Sequence, residues 1–326
     1  MVVKYRSQLL NGFGAMALAL VGLASAEAAD YPSQSVRIVV PYSAGGGTDT
    51  VARHLSNGLS KYFKESVIVE NRPGANGIIG TRAVAEATPD GYTYVLVVNS
   101  HLINPLVQKE IPYDTFKDFV GVTMVARSPL AFLVGSNVPA KDLNEFVTLA
   151  RKPDSKFAYG SSENMTRLVG NMLDHYGKLN MISVSYKGGA PLMADVAGGV
   201  TTLGTTSILS ANPYVQSGKI RPLAVTGAKR TSAWPDVPTM SELGMKEFDE
   251  VYTSYSLYAP AGTPKPILET MQKAVHAVVF APEMTETLQK QAAEPVADSV
   301  DDFNEQVKRD YQFWKSLAEA INLKPL

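Results

Sequence analysis

The chain contains no cysteine, an absence that removes disulfides, thiolate nucleophiles, cysteine-based zinc sites and the thiol that lipoprotein anchoring requires. Histidine is scarce too: His54, His101, His175 and His276 are scattered, with no HExxH pair. Neither a GxSxG elbow nor a Walker loop is present, and no residue pattern calls for a metal or a cofactor. The formal net charge is only −1, without the basic stripe that a nucleic-acid partner would require. These absences favour a binding protein over an enzyme. Carboxylates brought together by folding, such as Asp49 with Asp195, leave a hydrolase as the catalytic alternative.

What the sequence does contain begins with an export signal. Lys4 and Arg6 precede the apolar stretch Ala15 to Leu23, and Ala24-Ser25-Ala26 supplies small residues for cleavage near Ala26 or Ala28. The apolar stretch is shorter than the roughly 20 residues of a spanning helix, so the expectation is a signal peptide over 1–26, its removal and a periplasmic location. Loss of Lys4 and Arg6, with no acid, takes the net charge from −1 to −3. A mature chain of about 300 residues exceeds what a single core usually fills, so two lobes are expected.

The sequence Val36 to Val40 reads as a strand and runs into Pro41-Tyr42-Ser43-Ala44-Gly45-Gly46-Gly47-Thr48-Asp49 before a helix over Val51 to Phe63. Glycines let backbone approach a ligand closely, and the first amides of a helix have no acceptor within it, so the segment suits a small anion. The same residues also suit an ordinary strand-to-helix turn with Asp49 as its cap. Two later segments repeat the arrangement. Tyr159-Gly160-Ser161-Ser162-Glu163-Asn164-Met165-Thr166-Arg167 offers hydroxyls and, if it points inward, a guanidinium fork at Arg167. Ser185-Tyr186-Lys187-Gly188-Gly189-Ala190-Pro191 leads into a helix carrying Asp195, which either binds a ligand ammonium or stabilises the helix start. Thr205-Thr206-Ser207 and Asn99-Ser100-His101 are lesser polar loops, and Gly74, Gly77 and Gly80 read as a structural turn.

Short β-branched runs at 67–69, 92–98, 181–184 and 221–225 alternate with helical patterns near 78–87, 142–151 and 167–178, which predicts an α/β fold with mainly parallel sheets flanked by helices. Two extended segments, Val122 to Val134 and Tyr252 to Pro260, are expected to cross between lobes as paired strands. The first lobe is then discontinuous, 27–127 plus 253–326, and the second is 128–252, with ligand gripped by hinge closure.

Taken together, Pro41 to Asp49, Val69-Glu70-Asn71-Arg72-Pro73-Gly74-Ala75, Pro89-Asp90-Gly91-Tyr92-Thr93, Ser185 to Gly189, Leu223-Ala224-Val225-Thr226 and Ala259 to Pro264 resemble the Bug family. These are the TctC-like extracytoplasmic solute receptors of tripartite tricarboxylate transporters, and the resemblance runs from about Tyr31 to the C-terminus. It implies a two-lobed, type II-like periplasmic-binding-protein fold, no chemistry on the ligand, and a monomer that delivers a small organic carboxylate to the transporter's membrane components. It further implies that Tyr42, Ser43, Ala44, Gly45, Gly46 and Asp49, with Gly189, Ala190 and Asp195, hold one carboxylate. Ser161, Ser162, Asn164, Thr166 and Arg167 would contribute from the other lobe, with Thr206 and Ser207 nearby. The chain departs from the family at Glu163 to Met165, and Arg167 stands where a histidine is common; a second carboxylate or an aromatic ring beside Met165 would fit there. Glu163 would repel an anion and is expected to face outward. A sensory partner role at a membrane signalling protein is the alternative to transport.

Overall fold

The structure is a computed structural model that describes residues 31–290 and 292–323; the signal-peptide reading of 1–26 lies outside the described residues. From the N-terminus the elements are β1 (Val36–Val40), α1 (Gly47–Phe63), β2 (Val67–Asn71), α2 (Ile78–Ala85), β3 (Thr93–Val97), α3 (Ser100–Val107) and β4 (Phe119–Gly135). The chain continues through α4 (Leu143–Ala150), β5 (Ala158–Ser161), α5 (Asn164–Gly177), β6 (Ile182–Ser185), α6 (Gly189–Ala197), β7 (Leu203–Ser207), α7 (Ile208–Gln216) and β8 (Ile220–Val225). It closes with β9 (Tyr252–Pro260), α8 (Lys265–Val279), α9 (Pro282–Lys290), β10 (Glu294–Pro295) and α10 (Val300–Ala320).

Strand β1 carries apolar side chains on both faces because helices cover both sides of it; Val36, Ile38, Val39 and Val40 are all buried. Helix α1 places Val51, Leu55 and Leu59 at intervals of four on one stripe, and Gly58 leaves room for Val278 of α8. Lys64, in the left-handed region at φ 59°, ends the helix.

Strands run in the order β2-β1-β3-β9-β4-β7-β5-β6, with β8 and β10 also on β4. Apart from an isolated bridge between Val225 and Thr239, parallel pairing among the described residues is confined to the two wings, β2-β1-β3 and β7-β5-β6. Every pairing made by β4 and β9 is antiparallel. Strand β4 carries the chain across: Phe119 to Pro129 pair with β9, and from Leu130 onward the partners are β7 and β8. Strand β9 was expected to cross as well, but it lies wholly beside β3 and the first half of β4. The return passes instead through the irregular segment 226–251.

Two pairs of apolar clusters lie on either side of that crossing. One pair centres on β1, β3, α1 and α8, the other on the second half of β4, α5, α6 and β7. Helix α10 joins both: Val300, Phe303 and Val307 pack with the first pair, whereas Trp314 and Ala318 belong to the second. The last turns of α10 therefore pack against the second pair of clusters, although sequence places 253–326 in the first lobe.

Candidate functional site

In parallel α/β wings the carboxyl ends of the strands feed helix N-termini, and here five such ends face one another across the crossing. Helices α1, α3, α5, α6 and α7 all start there, after β1, β3, β5, β6 and β7. The two halves touch through hydrogen bonds at these starts. The Ser43 amide and hydroxyl both donate to the Lys187 carbonyl, at 3.2 and 3.1 Å. The Gly47 amide donates to Ser210 Oγ at 2.8 Å, Asn164 Nδ2 to Asn104 Oδ1 at 2.8 Å, and the Met165 amide to Ser100 Oγ at 3.0 Å.

Between them lies a cavity of about 20 Å³ walled by Tyr42, Gly46, Gly47, Ser162, Glu163, Thr206, Ser207, Ser210 and Tyr255 among others. A neighbouring cavity of about 160 Å³ shares Tyr42 and Ser162 and is closed by Gly74 to Gly77 and Ser185 to Lys187. The glycine turn read as structural is thus a wall of the cleft, with Gly77, at φ 87°, against the Tyr42 ring. The tight approach is at Gly47 rather than Gly46. A Cβ at Gly47 would lie 2.6 Å from Ser207 Oγ and 2.8 Å from the Tyr255 hydroxyl, whereas one at Gly46 would meet nothing nearer than 3.5 Å. Gly189 is equally crowded, 2.6 Å from Ser210 Oγ.

The sequence-derived residues divide. Tyr42, Gly46, Ser162, Gly189, Thr206 and Ser207 line the cavity, and Ser43 ties its rim to Lys187. Ala44 and Gly45 face outward on the turn, with Ala190 across from Gly45. Asp49 does not cap α1 with its side chain; the N-cap is Gly46. Its carboxylate instead accepts from the Gly45 amide, Arg53 Nε and Asn71 Nδ2, each at 2.9 Å. Burial works to raise its pKa, but these donors outweigh it and hold the carboxyl below its ordinary value. Asp195 accepts from the Tyr186 hydroxyl at 2.9 Å. Ser161 lies in β5, and Thr166 bonds back to the amides of Ser162 and Glu163.

Helix α5 starts at Asn164, earlier than expected, with Glu163 as its N-cap. That shift turns Glu163 into the cleft, so the expectation that it faces outward is corrected. Its carboxylate accepts a short hydrogen bond from the Ser162 hydroxyl, and burial pushes the carboxyl up to about 7. Arg167 is buried one turn later, lines neither cleft cavity, and leaves Nε and Nη2 without partners among the described residues. Sequence reasoning missed Gly47, Ser210 and Tyr255. Ser210 was detectable as the position three after a helix-capping serine, but Tyr255 lies in a segment that the sequence reads only as a crossing strand. Its hydroxyl is buried in the cavity wall without a hydrogen-bond partner among the described residues.

A central sheet with strand β4 running through both halves, and neutral donors from both halves converging on one cleft, defines a two-lobed solute-binding receptor of the periplasmic-binding-protein class. The chain belongs to the tripartite tricarboxylate transporter family of receptors (TctC), whose model matches residues 51–323, and within it to the Bug type. It is 32% identical over 313 residues to a UPF0065 protein of Bordetella bronchiseptica, covering 94% of this chain and 92% of that one. Among solved structures, the periplasmic binding protein BugD superimposes with a TM-score of 0.87 at 31% identity, covering 91% of this chain and 100% of BugD. Rpa4515 of R. palustris, solved with adipate, gives the same TM-score, identity and coverages.

Proposed function

We propose that the protein captures a small organic carboxylate between its lobes in the periplasm and delivers it to the membrane components of a tripartite tricarboxylate transporter, with its signal peptide removed near Ala26 or Ala28. The observation that carries this reading is the convergence of helix N-termini from both halves on one cavity walled by hydroxyls and backbone amides. Such donors hold a carboxylate by dipoles and hydrogen bonds without a fixed cation, which keeps release possible. The adipate bound by the relative Rpa4515 supports a carboxylate as the ligand class.

The protein acts without transforming its ligand. His101, the histidine nearest the cleft starts in sequence, is packed among Tyr113, Phe119 and Tyr258, and burial lowers it to about 3. It therefore stays neutral inside the aromatic cluster and is not a general base for a cleft serine. Ligand-stripped protein should bind at least one aliphatic or aromatic carboxylate in isothermal titration, with native mass spectrometry of freshly purified protein naming any retained solute. Flat titrations across mono-, di- and tricarboxylates would overturn the assignment.

A further inference from the structure

Glu163 is the only carboxyl among the residues that wall the 20 Å³ cavity, and that wall contains no lysine, arginine or histidine. The residue is 9% exposed. Its hydrogen-bond donors, Ser162 and Thr166, come from its own segment, and no cation among the described residues pairs with it. Arg167, four positions on, is buried without joining it in an ion pair. The remaining polar groups of the wall, among them the hydroxyls of Tyr42, Thr206, Ser207, Ser210, Thr253 and Tyr255 and the starts of α1 and α6, are neutral and rich in donors. The wall of this cavity thus combines many neutral donors with one carboxyl acceptor, and the nearest cation of the cleft, Lys187, lines the neighbouring cavity instead. A buried carboxylate retains acceptor capacity that is costly to leave unmet, and a second carboxylate placed beside it adds like-charge repulsion.

We propose that Glu163 determines specificity in this cleft: the solute turns its carboxylate to the helix starts and hydroxyls, and offers Glu163 a nitrogen-borne donor, a carboxamide or ammonium N–H. The inference rests on the carboxylate-receptor reading and narrows it from carboxylates in general to those bearing nitrogen. A dicarboxylate of the same length enters only with a proton shared between its distal acid and Glu163.

The test compares length-matched probes by isothermal titration at pH 8: succinate, succinamate and 4-aminobutanoate, then adipate, adipamate and 6-aminohexanoate. For the better-bound length, wild-type protein should favour a nitrogen-bearing probe over the dicarboxylate by at least about tenfold, since sites built for a polar partner reject analogues lacking it strongly. Glu163→Gln, which can donate to a carboxylate, should bring the pair within about threefold or reverse it. Glu163→Ser keeps a helix-capping oxygen but withdraws the group from the cavity, and should also erase the preference, so a folding defect in one variant is recognised by the other and by melting curves. Wild-type protein that binds the dicarboxylate as tightly as its monoamide, or variants that keep the wild-type ratio, would overturn the inference and leave the receptor reading intact. Failure of every probe, together with simple monocarboxylates, would remove the receptor reading and this inference with it.

Discussion

Gly46 and Gly47 are adjacent and chemically identical, yet the cleft treats them differently. Only Gly47 is approached within 3 Å, by Ser207 Oγ from across the cleft and by the Tyr255 hydroxyl. Gly47→Ala should therefore weaken carboxylate binding at least tenfold by holding the lobes apart, while Gly46→Ala stays within about threefold, since ordinary van der Waals contact costs little. Equal affinities of the two variants by titration would refute this. At Glu163 the consequence is for stability. Its folded pKa of about 7 exceeds the ordinary value of 4.5, so the folded state holds a proton that the unfolded chain releases, and stability falls as pH rises from about 4.5 to 7. His101, lowered from 6.5 to about 3, acts oppositely: its contribution is lost as pH falls below 6.5. The two oppose each other between 4.5 and 6.5, so the measurement must be a difference. Glu163→Gln should gain on the wild type between pH 5 and pH 8 by up to about 3 kcal/mol, the upper end of a shift of this size. Denaturant curves whose separation does not change with pH would count against a buried carboxyl here.

At the scale of elements, helix α1 is held to the glycine turn by one carboxylate. Asp49 joins Gly45, Arg53 and Asn71, thereby linking the turn, the helix and the end of β2. Asp49→Ala should cost about 2–3 kcal/mol and loosen the turn, because two neutral donors and a cation lose a common acceptor. Since this carboxyl is held below its ordinary value, the contribution is present above the unfolded pKa and fades on acidification. Thermal melts of the variant at neutral pH that match the wild type would remove Asp49 from this role. Most elements were legible because their hydrophobic periods are clear: β1, β2, α1 and β4 carry apolar residues at strand or helix spacing with turn residues at their ends. The errors arose where tertiary pairing overrode local polarity. Thr205 and Thr206 read as loop, but they pair with β4, and Thr205 with β5 as well, so the strand runs on to Ser207. Glu163 reads as outward-facing because an anion site disfavours a carboxylate, whereas its position is set by the N-terminal boundary of α5, which periodicity fixes poorly. Thr253 to Ser256 gave no sign that Tyr255 reaches the cavity, since a strand's two faces differ only by register.

For the whole molecule, the deciding quantity is the space between the lobes: about 20 Å³ at the helix starts, enough for about one water, and about 160 Å³ in the neighbouring cavity behind Gly74 to Gly77. The lobes must separate to admit a ligand. Across the cleft they are joined by the bonds of Ser43 to Lys187, Gly47 to Ser210, Asn164 to Asn104 and Met165 to Ser100, each worth about 1 kcal/mol net, and by the apolar packing of Ile103 and Val107 into the second lobe and of Leu209 into the first. Helix α10 packs apolar side chains into both lobes, β4 runs unbroken through them and segment 226–251 returns between them, so opening is expected as a rotation about these crossings. Solution scattering should accordingly show a ligand-free ensemble with a larger radius of gyration than this structure, contracting when a bound carboxylate saturates the cleft. Ser210→Ala, which removes the acceptor of the Gly47 amide, should shift the free ensemble further toward open and weaken binding by about tenfold or less, in proportion to a single hydrogen bond. A free protein already as compact as the closed structure, with no change on ligand addition, would exclude hinge closure as the means of capture.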